Sequence, residues 1–451
     1  MATKSELADR ILAGVKSLQE ESDLPRSTAS PLPALIPSGD GGSIVISDAV
    51  SNDISLFGRI VHANGTGLAN SLSVKDMEQL VRQAFGKTLA SIDLAHAADK
   101  NREALLGGVS AFLDDALTQS RSDRSFVFGC WLIRDVPIDV QIGAVKIEPR
   151  KEWLARMRGD GRITATTARR LLQHWSGARL RPRKPSYDGT WERELRESIG
   201  ACPDVCTVDT RGMASNVAED KAILAARLAI TAIALLWRRP SKALEGFGLL
   251  LDGGWVRRHH VVYDAHGWRG SATRTTRLPG TTWVVADDWE PVWDSAEWLL
   301  GPVGQALQAF LTASEAPPKP NVTRALIHAL WWFFEACKAE SPLMATVKFA
   351  AVLDTLAGGG GDRDILKLIK ARLGRSPDDS ITRDGRRTAA VVREIYGAGR
   401  SKTIHGSNEQ FGHDWSSTRD LAESLTRNCL VEAIGWLHAN SASDDLSKLK
   451  A

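Results

Sequence analysis

The segment TASEAPPKPNVT, residues 312–323, constrains this chain more than any other, because the sequence changes character across it. Pro317, Pro318 and Pro320 lack the amide hydrogen that a helix needs, and they push the residues before them towards extended backbone. Residues 312–319 therefore read as a proline-rich linker. Beyond it the apolar residues recur at helical spacing and no strand alternation occurs. NVTRALIHALWWFFEACKAE offers Asn321 and Thr323 as caps. SPLMATVKFAAVLDTLAG opens on Ser341 and Pro342 and stops at a run of glycines, and DRDILKLIKARLG ends at Gly374. Two more helical stretches close the chain, so an all-α bundle is expected over 320–445.

Before the linker the pattern is mixed. A chain of 451 residues exceeds one ordinary core, so more than one domain is expected. Residues 1–43 combine a short helical stretch with the turn-rich PRSTASPLPALIPSGDGG and read as a mobile N-terminal segment. Residues 44–311 read as a mixed α+β region that senses a trigger or restrains activity. VKDMEQLVRQAFGKTL and REALLGGVSAFLDDALTQ have helical spacing; SFVFGCWLIRDVPIDVQIGAVKIEP, 125–149, predicts two or three strands. Helical patterns return at RITATTARRLLQHW and 219–237, and strand patterns at WVRRHHVVYDAHGW and TTWVVADDWEPVW. The fold class is thus α+β, a mixed α/β N-terminal region followed by a helical bundle.

The longest apolar run, AILAARLAITAIALLW at 222–237, carries Arg227 and is shorter than the roughly 20 residues a bilayer span needs. It reads as a core helix. With no signal-type apolar segment at the N-terminus, a cytoplasmic protein without membrane contact is expected. Five scattered cysteines suit a reducing compartment, and the lone C-x3-C of Cys202 and Cys206 lacks the second pair of a zinc site. No metal and no cofactor is expected.

Charge is informative only locally. The whole chain carries a formal +3, whereas residues 363–402 hold eleven Lys/Arg against five Asp/Glu. Such a patch is a footprint for phosphate or a solvated helix face. Within it Arg386, Arg393 and Arg400 recur at heptad spacing, which predicts one basic stripe opposite an apolar face of Ala389, Val392, Ile395 and Tyr396. His405 follows in TIHG. An imidazole exchanges protons near neutrality, and a guanidinium fork matches phosphate oxygens. Together they could cleave RNA through its own 2′-hydroxyl, although spacing alone does not separate such a histidine from a core or capping one.

The run IYGAGRSKTIHG, 395–406, resembles the signature of HEPN domains, in particular the Apea-like group, in which an arginine precedes a histidine by several residues. MATVKFAAVLDTLAGG, 344–359, resembles an earlier helix of that group, with Asp354 where glutamate is more usual; Gly397 and Gly399 depart from the family pattern. The resemblance implies a HEPN-type bundle acting as a metal-independent endoribonuclease in prokaryotic anti-phage defence or toxin-like growth arrest. It implies RNA as substrate and a homodimer through the C-terminal helical domain, with both copies lining one cleft. Carried over, His405 transfers the proton and Arg400 holds the scissile phosphate. Asp354 has a supporting role, orienting one of the two. Ser401 and Lys402 are further contacts, and a simply solvated Lys402 fits equally well. Arg386 and Arg393 would meet RNA phosphates. The rival readings are a non-catalytic HEPN dimerisation or ligand-binding module and an adaptor protein.

Other motifs carry less. His259 and His260 would face opposite sides of a strand and so would not share a metal, with Asp264 and His266 in the following turn. LLDGGW and the glycines of 358–361 lack the G-K-[ST] ending of a phosphate loop. ARLRPRKPSYDG reads as an exposed basic loop.

Overall fold

The computed structural model describes residues 2–20, 34–65, 67–133, 138–253, 257–264, 267–275, 292–293, 295–314, 318–410 and 412–451. They form an α+β fold with a helical C-terminal part. The chain divides into two compact units, one of residues 1–124, 210–220 and 312–316, the other of 125–209, 221–311 and 317–451.

In the first unit, α1 (Lys4–Glu20) buries Leu7, Ile11 and Val15, one helical face. They share a core with α2 (Asp48–Asn64), α4 (Val74–Leu89) and α5 (Ala98–Ser120). The short α3 (Leu68–Ser71) lies between α2 and α4. Ser47 and Ser73 start α2 and α4 by accepting the amides of Val50 and Asp76. Phe57 and Phe85 meet edge-on at 5.1 Å inside. Strands β1 (Ala34–Pro37) and β2 (Ser43–Ile46) pair antiparallel in between. The expected mobile segment 1–43 therefore needs correction. Its apolar residues at helical spacing are core, and its described part packs with residues 44–120.

The second unit holds a five-stranded sheet in the order β4-β5-β6-β3-β7. These are β3 (Ser122–Trp131), β4 (Val140–Ile142), β5 (Val145–Pro149), β6 (Asp204–Met213) and β7 (Gly248–Leu249). The stretch 125–149 thus supplies three strands, as its alternation predicts. Helices α6 (Arg150–Gly159), α7 (Ala165–Trp175) and α8 (Tyr187–Ile199) form a small satellite core around Trp153. Between α7 and α8 the expected free basic loop is pinned, because Arg183 pairs with Asp188 at 3.0 Å and reaches Glu192. Helices α9 (Ser215–Ala234) and α10 (Pro240–Gly246) precede a hairpin of β8 (Arg257–Asp264) and β9 (Gly267–Thr275). His266 and nearly all of TTWVVADDWEPVW lie outside the described residues, and of His259, His260 and Asp264 only the backbone is described.

Four α-helices of the C-terminal part follow: α11 (Glu297–Phe310), α12 (Pro320–Lys338), α13 (Pro342–Leu356) and α14 (Gly361–Leu373). After a segment bearing the arginine–histidine motif comes α15 (Ser416–Ala439). These helices do not close a core of their own. One continuous cluster runs from Val145 and Val208 of the sheet through Ala229 and Leu307 to Phe333, Phe349, Ile395 and Leu430. The expected division into 44–311, a linker at 312–319 and 320–445 is therefore not the division of the folded chain. Pro320 opens α12, but α12 buries more than one face, so the bundle takes its remaining partner from the sheet and α9. Close contact continues at the sheet edge, where a Cβ on Gly143 would lie 2.0 Å from the Gly304 carbonyl oxygen. Among the described residues no single helix is long and apolar enough to cross a membrane. Arg227, inside the long apolar run, pairs with Asp252 through Nε at 3.0 Å.

One buried acid makes stability pH-dependent. Asp204 is 3% exposed, and its Oδ2 has no hydrogen-bond partner among the described residues. Burial pushes its carboxyl up to about 7, opposed only partly by the Leu132 amide and the charge of Arg150. Because the folded value lies above the ordinary carboxylate value, the folded chain holds the extra proton. Its stabilising contribution is complete in acid and is lost as pH rises through about 7. Asp204→Asn should raise the melting temperature at pH values above that point and leave it nearly unchanged in acid. A difference between variant and parent that stays constant across a pH series of melts would overturn the assignment.

Candidate functional site

The motif segment starts as an α-helix at Thr388–Val392, widens to a π-helix at Arg393–Ser401 and returns to α at Lys402–Ile404. The Lys402 amide bonds the Gly397 carbonyl, five residues back, as a π-turn requires. The two glycines act differently. Gly399 is buried, and a Cβ there would lie 2.9 Å from Thr346 Cγ2 of α13, so its lack of a side chain lets the segment lie against that helix. A Cβ on Gly397 would meet only Arg393 Cγ, at 3.6 Å.

The wide turn separates the expected basic stripe into different environments. Arg400 points to α13, where its Nη2 lies 3.2 Å from Asp354 Oδ2. Its Nη1 donates to Tyr396 Oη at 2.8 Å, and the guanidinium sits 5.0 Å from the centre of that ring. Asp354 is itself fixed, since its Oδ1 accepts the Gly361 amide at 3.1 Å. Arg400 is 28% exposed and its partner 13%. An ion pair at that depth adds on the order of 1 kcal/mol or less. Its structural consequence is to aim the fork while part of it still faces solvent.

His405 caps the C-terminal end of the segment and is exposed. Gly406 takes φ +72°, and the amides of Gly406 and Ser407 bond the carbonyls of Thr403 and Lys402. The glycine behind the histidine is thus the left-handed residue that ends a helix. The imidazole is not a core residue, and among the described residues it has no hydrogen-bond partner.

Arg393, Ser401 and Lys402 line a different feature, a cleft of about 790 Å³ closed by Gly397, His413 and Trp415. Arg386 belongs to neither group. It precedes the helix and pairs with Glu394, whose other oxygen accepts Thr418 Oγ1 at 2.5 Å. The expectation of one stripe through Arg386, Arg393 and Arg400 is thereby corrected, because Arg386 lies before the helix and the π-helix between Arg393 and Arg400 turns less per residue than the heptad argument assumes. Much of the local positive charge is also neutralised. Asp364 bonds Lys367 and Lys450, which hold its carboxyl down at about 2, and Asp378 lies 3.6 Å from Arg387. Sequence reasoning missed Tyr396 as a partner of Arg400, having placed it on the packing face. It also missed His413, whose only signal was a second histidine in the polar loop after the motif.

Elsewhere, Cys202 and Cys206 are buried free thiols, pushed up to about 12 in the case of Cys202. Among the described residues no three His, Cys, Asp or Glu side chains converge as metal ligands. The first unit has a cleft of about 580 Å³ between α4 and α5, lined by Lys87, His96, Lys100, Asn101, Phe112 and other residues of the two helices. No family model matches the chain, and neither a curated protein nor a solved structure matches it.

Proposed function

We propose that the C-terminal helical part is a metal-independent endoribonuclease of HEPN type, acting in the cytoplasm in defence or growth arrest. The observation that carries this reading is the arginine fork held by Asp354 and Tyr396 a short way before an exposed histidine that has no hydrogen-bond partner among the described residues, at the end of the same segment. In this mechanism His405 takes the proton of a ribose 2′-hydroxyl, and O2′ attacks the adjacent phosphorus. The N–H groups of Arg400 that are not engaged by Asp354 and Tyr396 balance the charge that develops on the phosphate oxygens. The bond to the 5′-oxygen breaks, and that oxygen must gain a proton. A second imidazole is needed for this, which a second copy of the chain would supply in a homodimer. Because Asp354 neutralises Arg400, two such sites could face each other with less repulsion than bare arginines would cause. The cleft between α4 and α5 is the place we propose for a trigger molecule.

The alternative, a non-catalytic HEPN-type binding or dimerisation module, draws support from the same geometry, since Arg400 already has two partners inside the fold. Incubating the purified chain with a pool of RNA in excess EDTA separates the two. Cleavage should persist and leave 2′,3′-cyclic phosphate and 5′-hydroxyl ends. A strict requirement for added metal, or 5′-phosphate ends, would contradict the mechanism, and the absence of any cleavage would favour the binding module.

A further inference from the structure

Arg400 is aimed by Asp354 and Tyr396, and both of these rest on one turn that the chemistry above does not use. The turn joins α13 to α14 through Gly358, Gly359, Gly360 and Gly361. Its amides hold Asp354 at two points. The Gly359 N–H donates to the main-chain carbonyl at 2.8 Å, and the Gly361 N–H donates to Oδ1 at 3.1 Å. On its other side, a Cβ on Gly361 would lie 3.4 Å from Tyr396 Oη, the oxygen that accepts from Arg400 Nη1. Gly361 thus stands behind both partners of the guanidinium. Gly358, Gly359 and Gly361 take φ of +74°, +85° and +67°, the left-handed region that glycine enters at least cost.

Four glycines in a row are pliant, so the turn does not hold its own shape. Its rigidity comes from outside. Asp364, in the first turn of α14, folds back so closely over Gly360 that a side chain there would strike its carboxylate. That carboxylate pairs with Lys450 Nζ at 2.7 Å, and the same ammonium stands 3.8 Å from where Gly358 would carry a Cβ. Lys450 belongs to the 3₁₀ turn Leu446–Lys450, whose Leu449 is buried in the shared core. Lys450 therefore staples the glycine turn from an anchored position. We infer that Gly361 and Lys450 are positioning residues for RNA cutting: through the glycine turn they fix Asp354 and Tyr396, and so the direction of the Arg400 guanidinium. The inference rests on the ribonuclease reading and adds to it residues that act through Arg400.

The test uses the full chain labelled with 3-fluorotyrosine. Tyr396 is one of three tyrosines, so its fluorine line is identified by its loss in Tyr396→Phe. Arg400→Ala gives the shift expected when the guanidinium, 5.0 Å from the ring centre, is absent. Lys450→Met and Gly361→Ala should move the line in the same direction, and Lys450→Arg should leave it in place. Lys367→Met is the control. Lys367 pairs with Asp364 from within α14 at 2.8 Å, and its loss should change neither line nor rate. The single-turnover rate at saturating RNA should fall roughly 10-fold in Lys450→Met and up to about 10²-fold in Gly361→Ala, the scale of an ångström's misplacement. The RNA concentration giving half the maximal rate should change by less than about 2-fold, because the aim of Arg400 matters most in the transition state. Lys450→Arg should recover the rate. A Tyr396 line that Lys450→Met leaves unmoved overturns the inference, as does an equal effect of Lys367→Met. A lowered melting temperature with line and rate unchanged overturns it too, leaving the turn a structural role only. Should Gly361→Ala fail to fold, Lys450→Met decides alone, since that side chain is still 19% exposed. A parent chain that cuts no RNA sinks the ribonuclease reading alone, because the fluorine spectrum reads the aim of Arg400 without substrate.

Discussion

Replacing His405 with alanine is expected to reduce RNA cleavage by about 10²–10⁴-fold, the usual contribution of a general acid or base, without loss of fold. The side chain is exposed and makes no hydrogen bond among the described residues, so nothing in the packing depends on it. Arg400→Ala should cost a comparable factor, about 10²–10³, through lost charge stabilisation at the phosphate. Here the structural consequence differs. Removing the guanidinium also releases Asp354 and Tyr396, but an ion pair this accessible leaves a stability loss of only about 1 kcal/mol. Arg400→Lys should not rescue, because a single ammonium cannot face Asp354, Tyr396 and a phosphate together. Rates of single-turnover cleavage, set beside urea denaturation curves, check both claims. Full activity in either alanine variant would falsify the assignment. Loss of activity accompanied by global unfolding would return the pair to a structural role.

The second large effect belongs to the glycines. Gly399→Ala should destabilise the chain by about 1–3 kcal/mol, the cost of forcing an extra carbon into a packed contact, because Thr346 stands 2.9 Å from the added Cβ and is itself fully buried. The displaced segment would carry Arg400 away from Asp354, so activity should fall with stability. Gly397→Ala, only two residues earlier, should be neutral or stabilising by up to about 1 kcal/mol, since its Cβ meets only ordinary contact and alanine favours helix. Denaturation midpoints of the two variants decide the matter. Equal effects would show that the buried approach at Gly399 does not shape the site.

The sequence by itself determined much of the local structure, because helices and strands follow short-range periodicity. The pattern VKDMEQLVRQAFGKTL is α4, residue for residue, and the alternation over 125–149 is three strands. Of the residues singled out in the motif, Arg400 lies against Asp354 and His405 is exposed. What only the tertiary structure decided is which faces those residues turn to. Periodicity assumes a regular helix, whereas a π-helix spans Arg393–Ser401, with Arg400 against Asp354 of α13, Arg393 lining the cleft and Gly399 lying close to Thr346. The partnership of Tyr396 and the approach of His413 arise from chain segments meeting after folding, which spacing does not encode. The domain boundary failed for a related reason. Prolines report local stiffness, whereas the shared core of sheet and bundle depends on how much apolar surface each helix leaves uncovered, a quantity settled only when all of them pack.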